Sequence, residues 1–304
     1  MNVLKMNEKE TAVMKRRLVS IVTAICVAAP IVAVADTLTW NGGASGNFST
    51  GPWSGGEAGH ETPQDGDTLV FGTVGDFNND ISGLSVAGLS ITASGAVRLG
   101  GNQITLVGGS IISKTGSGTY TNNVPLVLGT ASGQTVYVET ASGCSVVMLA
   151  AMSGDANIVY NNASTSTGII NLRNDGSAYT GATTARRGSV YVYSNDAFGS
   201  ADGGTTLSGA ANNALKVYFQ GVTMGENFTV VANASNSPNN SPNYPVNFPT
   251  SNTFNGTWSV SGNGYFYNSG GTTTFNGRVA FSTIHFLGGG SQHVVHLTEV
   301  LLIA

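Results

Sequence analysis

The chain has 304 residues, of which only 9% are charged, 41% are hydrophobic and 42 are glycine. Soluble globular domains average about 25% charged residues, so the surface of this chain takes its polarity from Ser, Thr, Asn and Gly. This composition excludes a basic nucleic-acid-binding domain and favours a β protein.

The first 35 residues have the pattern of a signal peptide. Three basic residues, 15–17, precede an uncharged apolar stretch, 18–35, that ends in the small-residue motif Ala33-Val34-Ala35. Met14 lies just before the basic residues and is an alternative start of translation. A membrane anchor is the other interpretation, because the apolar stretch approaches the length that spans a bilayer. The cleavage motif favours the signal peptide, so we expect the export machinery as a partner.

Cleavage after Ala35 would change both charge and cysteine content. It removes five basic and two acidic residues and leaves 7 basic against 14 acidic residues, a formal net charge of −7. We therefore expect no nucleic acid and no anionic membrane surface as a partner. Cys26 leaves with the signal, and the remaining Cys144 has no cysteine with which to form an internal disulfide.

Short alternating apolar segments, separated by Gly, Asn, Ser and Asp turns, run along the rest of the chain. In SVYVY, residues 189–193, the period of two places Val190 and Val192 on one face, which we expect to be the core face. Segments 95–123 and 168–195 share the order strand, turn, strand, turn, strand. Weak internal repetition is typical of stacked coils, so we predict an all-β parallel β-helix, with a β-sandwich as the alternative.

One segment of the chain resembles a known repeat. NLRNDGSAYTGATTARRGSVYV followed by AFGS is similar to the autotransporter-associated β-strand repeat of Gram-negative cell-surface proteins. The opening TWNGGASGNFSTGPWSGG and the later TLVFG are similar to the Trp-bearing start of such passengers, and the likeness covers about 38–107 and 171–207. The matching repeat positions are Leu172, Asn174, Tyr179, Thr180, Gly181, Thr183, Gly188, Val190, Val192, Ala197, Gly199 and Ser200.

The resemblance implies a right-handed β-helical passenger, attached in the family to a C-terminal β-barrel translocator in the outer membrane. The 26 residues after Arg278 are too few for even an eight-stranded barrel, so we expect a truncated passenger; secretion without an anchor and attachment through a partner are the alternatives. The predicted organisation is a signal peptide (1–35), an opening module (36–110), β-helix turns (111–232) with the repeat at 171–207, a Pro/Asn-rich loop (233–250) and further turns (251–304).

The sequence lacks the groups of residues that known enzymatic sites require. Asp175 lies in an Asn-Asp-Gly turn that faintly resembles a polygalacturonase element, but the further acidic and basic elements of those enzymes do not follow. Asp65 and Asp67 can approach a calcium ion, although no calcium-loop continuation follows. No nucleophile elbow occurs, and Cys144 beside an apolar run is expected to be buried. We predict no catalytic residue, no metal and no cofactor.

Two features suggest binding. Trp40 and Trp53 in the opening module can stack on sugar rings or, alternatively, plug the open end of the solenoid. Tyr244 and Phe248 lie in the Pro/Asn-rich loop, and such loops often carry recognition. The expected function is that of an exported, non-enzymatic surface structural or adhesion protein, extracellular or associated with the outer membrane, that contacts host-surface or matrix glycans or proteins. The alternative is a secreted carbohydrate-active β-helix, either a polysaccharide lyase or a glycan-binding module.

Overall fold

Parallel strands stacked turn upon turn form a β-solenoid of about nine turns. The computed structural model describes residues 35–129, 133–209, 215–231, 246–288 and 294–302; the predicted signal peptide lies outside them, apart from Ala35. These residues contain no helix, and accordingly no helix in the described ranges is long and apolar enough to cross a membrane.

The described residues form 26 strands. In chain order they are β1 (Thr37–Trp40), β2 (Ser45–Asn47), β3 (Trp53–Ser54), β4 (Thr68–Phe71), β5 (Gly75–Asn79), β6 (Ser85–Ile91), β7 (Val97–Gly101), β8 (Ile104–Lys114), β9 (Gly118–Asn122), β10 (Leu126–Leu128), β11 (Thr135–Thr140), β12 (Cys144–Met148), β13 (Met152–Ser153), β14 (Asn157–Tyr160), β15 (Ile169–Leu172), β16 (Thr183–Ala185), β17 (Ser189–Val192), β18 (Thr205–Ser208), β19 (Lys216–Phe219), β20 (Thr223–Met224), β21 (Phe228–Val231), β22 (Val246–Phe248), β23 (Asn252–Phe254), β24 (Trp258–Asn268), β25 (Thr272–Gly288) and β26 (Val294–Leu302).

Three parallel ladders run along the solenoid. The long strands β6, β8, β24 and β26 each contribute to two of them, and β25 contributes to all three. Ladder A joins β1, β4, β6, β8, β11, β14, β16, β18, β21, β24, β25 and β26. Ladder B joins β2, β5, β7, β9, β12, β15, β17, β19, β22, β24 and β25. Ladder C joins β6, β8, β10 and β13, and later β20, β23, β25 and β26.

The alternation of side chains explains both the strands and the core. In β17, Val190 and Val192 are fully buried, whereas Ser189 and Tyr191 face outward, as the period of two predicts. The same inward and outward pattern occurs in β11, β15 and β19. One hydrophobic core therefore runs inside the three ladders, and from Phe198 onward it is rich in Phe and Trp rings that pack edge-to-face or stack on one another.

Buried asparagines close the corners between ladders. The side chain of Asn252 accepts hydrogen bonds from the amides of Gly221 and Val222 in the preceding turn and donates to the carbonyl of Thr250. Asn79 donates to the carbonyl of Asn102 in the next turn. Hydrogen bonds of this kind satisfy the corner backbone groups that are not paired within a ladder. The amide side chains thus stabilise the contacts between turns, a role that ion pairs or disulfides have in other proteins.

Candidate functional surface

The outer face of ladder B carries an in-register row of polar and aromatic side chains. The outward residues Val147, Asn171, Tyr191 and Tyr218 lie directly above one another on β12, β15, β17 and β19. Parallel pairing fixes this register, because each inward apolar residue must meet an inward apolar residue of the next turn, as Val190 meets Val217 and Val192 meets Phe219. Neighbouring turns are about 4.8 Å apart, so side chains at matched positions touch.

Three tyrosines on this face are nearly parallel. The ring centroids of Tyr191 and Tyr218 are 4.5 Å apart with an angle of 7° between the ring planes, and those of Tyr191 and Tyr193 are 6.5 Å apart at 16°. The guanidinium carbon of Arg173 lies 4.0 Å from the centre of the Tyr193 ring, a cation–π contact. We call Arg173, Tyr191, Tyr193 and Tyr218 the tyrosine face.

The tyrosine face is ordered and partly exposed. Tyr193 is 37% exposed, Arg173 is exposed, and Tyr191 and Tyr218 are half-buried by one another. Partial burial raises the pKa of the Tyr218 hydroxyl, and the neighbouring Tyr191 hydroxyl adds to this effect. The Tyr218 phenol therefore stays protonated at neutral pH and remains a hydrogen-bond donor. The face combines apolar ring edges, hydroxyl groups and a cationic group.

The predicted repeat positions have structural places in the fold. Leu172, Val190 and Val192 are fully buried core residues, and Gly188 and Gly199 are turn residues with positive φ angles of 70° and 84°. The remaining positions form side-chain and backbone contacts between turns. Asn174 donates to the Ala197 carbonyl, and Thr180 donates to Asp155. The hydroxyl of Tyr179 lies 2.6 Å from that of Thr183. The Cα of Gly181 faces the Ala156 carbonyl.

Trp40 and Trp53 are not ligand contacts in this structure. Trp40 is 2% exposed and Trp53 is 6% exposed, and their ring centroids are 5.1 Å apart in an edge-to-face arrangement. Phe48 and Phe71 pack against the Trp53 ring. A buried indole has no face for a sugar, so the hypothesis of sugar stacking by these two residues is wrong, and their burial agrees with the alternative, a plug in the opening module.

The predicted recognition loop is also corrected in part. Residues 246–248, expected to be irregular, form β22 within ladder B. Phe248 is fully buried and packs against Phe219 and Phe275, so it is a core residue and not a contact residue. Tyr244 lies outside the described residues, and its predicted role stays a prediction.

Acidic side chains serve mainly as hydrogen-bond acceptors between or within turns. Asp65 accepts from the Ser85 amide, Glu139 accepts from the Asn162 and Ala163 amides, and Asp196 accepts from the Gly176 amide. Asp80 accepts from the amide and hydroxyl of Ser49, and these hydrogen bonds lower the pKa of Asp80. Within the described ranges, no group of three or more His, Cys, Asp or Glu side chains could hold a metal ion.

Glu226 differs from the other acids. It is 2% exposed, and neither carboxylate oxygen has a hydrogen-bond partner in another described residue. Burial, together with a smaller contribution from the negative charge of Asp196, raises its pKa to about 8. Gly256 and Gly277 occupy the equivalent corner in the following turns. The Cα of Gly256 lies close to the Glu226 carbonyl, and that of Gly277 lies close to the Gly256 carbonyl. Glu226 is therefore held as a neutral acid at pH 7.

Sequence reasoning missed three features. For the tyrosine face, the sequence indicates only that Tyr191 and Tyr193 point outward from the SVYVY strand. The stacking of Tyr191 on Tyr218 depends on the pairing of β17 with β19, which the sequence does not show. Lys114 is fully buried, donates from Nζ to the carbonyls of Ala93, Gly116 and Ser117, and has its pKa lowered by burial. Glu226 gave no signal beyond its place in a Gly-Glu-Asn turn. Cys144, by contrast, is buried as predicted.

No protein-family model, no curated protein and no solved structure matches this chain.

Proposed function

We propose that the chain is an exported, non-enzymatic structural or adhesion protein on the surface of a Gram-negative bacterium, a passenger-like solenoid that uses the tyrosine face for contact. The observation that carries this proposal is the row of parallel rings on ladder B, with Arg173 packed on Tyr193. The partners we propose are glycans or proteins of a host surface or matrix.

The energetics of the tyrosine face suit a contact surface. Tyrosine offers a large amphipathic area at a low cost in side-chain entropy, because it has only two rotatable bonds. Here the rings are already ordered by stacking between turns, which reduces the entropy lost on binding. Tyr and Arg are also the residue types most enriched at binding hot spots. The stacked arrangement leaves ring edges and hydroxyls, rather than whole ring faces, for a partner.

The solenoid supports the same proposal. Each turn adds a strand to ladders A and B without charge or disulfides, so the chain can build a long, rigid surface out of weakly charged residues. The similarity of residues 171–207 to the autotransporter-associated repeat, and the signal-peptide pattern of residues 1–35, supply the expectation of export. Asp65, Asp80, Glu139 and Asp196 are engaged in hydrogen bonds that hold turns together, which favours a structural interpretation of their presence.

A glycan-binding module is the second candidate, and the tyrosine face favours it over a polysaccharide lyase. Parallel aromatic rings beside Asn171 and Arg173 supply apolar edges together with amide and guanidinium donors, which is the mixture of groups that hydroxyl-rich ligands use. An adhesin of this type and a glycan-binding module share the contact surface; they differ in partner class.

The test is a binding screen with a matched pair of variants. Purified protein starting at Asp36 would be applied to an array of glycans and to a panel of matrix proteins. The double variant Tyr191→Thr/Tyr218→Thr removes two rings and keeps a β-branched side chain at each position. The control is Tyr137→Thr, an outward tyrosine of β11 in the same Val-Tyr-Val context on ladder A.

We expect at least one ligand to bind the parent and the Tyr137→Thr control equally, and to bind the double variant at least tenfold more weakly. Binding confined to glycans would select the glycan-binding module, and binding confined to proteins would select the protein adhesin. Equal binding by all three proteins, or no binding by any of them, would contradict the role of the tyrosine face.

A further inference from the structure

Asp36, His60 and Asp67 form a cluster in the opening module that we call the N-terminal clasp. The two ring nitrogens of His60 lie 2.7 Å from Oδ2 of Asp36 and 2.9 Å from Oδ2 of Asp67. The backbone nitrogen of Asp36 donates to the other carboxylate oxygen of Asp67 at 2.9 Å. Asp67 is fully buried, and the side chains of His60 and Asp36 are 11% and 15% exposed.

The charges of this cluster do not balance within it. A carboxylate oxygen can only accept, so the two contacts of the His60 ring require one proton more than a neutral imidazole carries, held by the ring or by one of the carboxyl groups. Two carboxyl groups, one imidazole and this proton together carry one net negative charge in a nearly buried group of side chains. The backbone amides of Asp36, Glu57 and Gln64 donate to the carboxylates, but among the described residues no cationic side chain other than His60 forms an ion pair with them, so a further cation would be stabilised here.

Asp36 is held at its backbone as well as at its side chain. Its carbonyl accepts from the Thr68 amide at 2.8 Å, and its Oδ2 also accepts from the Glu57 amide at 3.0 Å. Together with its own amide, these contacts fix the first residue after the Ala33-Val34-Ala35 motif, while Ala35 is exposed. The fold thus holds the chain firmly from Asp36, immediately after the bond that the motif marks for cleavage.

We propose that hydrolysis of the Ala35–Asp36 peptide bond supplies the missing cation, and that Asp67 captures the new N-terminus. A peptidase of the export machinery adds water across the bond; the carboxyl group stays on Ala35, and the amine freed on Asp36 takes up a proton. The neutral amide donor at 2.9 Å from Asp67 Oδ1 then becomes an α-ammonium, and the clasp becomes neutral. This inference rests on export, as in the proposed function, and on the predicted cleavage after Ala35; it adds a binding site for the new N-terminus that holds the first turn.

The first test reads the terminus of the natural product. The protein would be recovered from the envelope and the medium of cells that express the whole chain, and its N-terminal residue would be determined by mass spectrometry. We expect Asp36. Recovery of the chain in the envelope or medium with a different first residue would overturn the inference and leave export standing. A chain retained uncut in the cytoplasm would overturn both.

The second test does not depend on export. Three purified proteins would be compared: one that begins at Asp36, one that retains Ala35, and one that begins at Asp36 with an acetylated α-amino group. Hydrogen exchange of the amides in 37–40 and 57–68 should be roughly tenfold slower in the first protein than in the other two, because a charge-assisted hydrogen bond is stronger than a neutral one. Amides of β17 serve as the internal control and should exchange equally.

Asp67→Asn supplies the decisive comparison, since it removes the carboxylate that receives the ammonium. In that background the free and acetylated proteins should exchange at the same rate. If Asp67→Asn does not fold, the comparison of free with acetylated termini in the parent sequence remains sufficient. Equal exchange of the free and acetylated parent proteins would overturn the capture of the terminus by Asp67.

Discussion

Replacing Glu226 with glutamine is expected to remove a pH dependence of stability that the parent chain carries. The buried carboxyl group has a pKa of about 8 in the folded protein, compared with 4.5 for an ordinary glutamate. Below pH 4.5 both states are protonated, and the group has no effect. Between pH 4.5 and 8 only the unfolded chain ionises, so the folded state loses stability as pH rises. Above pH 8 the loss is complete.

The magnitude follows from the two pKa values. Each pH unit between them corresponds to about 1.4 kcal/mol, so the full loss is at most about 5 kcal/mol if the corner keeps its structure when Glu226 ionises. Asp196 is the acidic side chain whose negative charge adds to the effect, and Tyr179 is the nearby buried phenol. Glutamine has the shape of the protonated acid and cannot ionise, so the variant should match the parent at low pH and exceed it at high pH.

The assay is urea denaturation at pH 4.5, 7 and 9, combined with hydrogen exchange of the amides of 222–230, because a solenoid can unfold locally. The control is Glu61→Gln, an exposed glutamate of the opening module. We expect Glu226→Gln to exceed the parent by several kcal/mol at pH 9 and to equal it at pH 4.5, while the control follows the parent. A parallel pH dependence in parent and Glu226→Gln would refute the reasoning.

Three further predictions concern the corners and the core, each measured by the free energy of urea unfolding. Gly256→Ala should lower the free energy of unfolding by about 1–3 kcal/mol, because the new Cβ would lie 1.8 Å from the Glu226 carbonyl oxygen. Gly100→Ala is the control and should be nearly neutral, since the space around Gly100 is open. Similar losses in both variants would contradict the steric argument. Asn161 has a φ of 53° and its side chain accepts from the Thr140 amide and donates to the Arg187 carbonyl. Asn161→Ala should cost about 2–4 kcal/mol, and more than Asn161→Gly, because both variants lose the side-chain hydrogen bonds but only glycine adopts the positive φ without strain; the reverse order would contradict the backbone argument. Val190→Ala should lower the free energy of unfolding by about 2 kcal/mol and Tyr191→Thr by less than about 1 kcal/mol, since only the valine is fully buried. Equal losses in the two variants would mean that the register of β17 is not the one described.

Much of the fold could be predicted because the alternation of apolar and polar residues within each strand shows which side chains point inward. The alternation in SVYVY placed Val190 and Val192 in the core, and turn residues between strands indicated stacked coils, as observed. These features depend on local sequence alone, which is why one sequence was sufficient for them.

The tyrosine face could not be predicted, because it depends on which residues of separate turns become neighbours. Tyr191 meets Tyr218 only because the intervening turn has the length that returns the chain to the same register, and turns here differ in length: hydrogen bonds between turns join residues from 20 to 31 apart. Burial of Trp40, Trp53 and Phe248 was equally beyond the sequence, since a large aromatic residue fits both a core and a binding surface.

Adhesion of intact cells tests the central claim most directly. Cells that display the parent chain, Tyr191→Thr/Tyr218→Thr or Tyr137→Thr in equal amounts, as measured by antibody on intact cells, would be counted on surfaces coated with a glycan or matrix protein. We predict equal retention of cells with the parent and the Tyr137→Thr control, and retention of the double variant close to that of cells without the protein. Failure of antibody to reach the chain on intact cells, or undiminished retention of the double variant, would contradict the account.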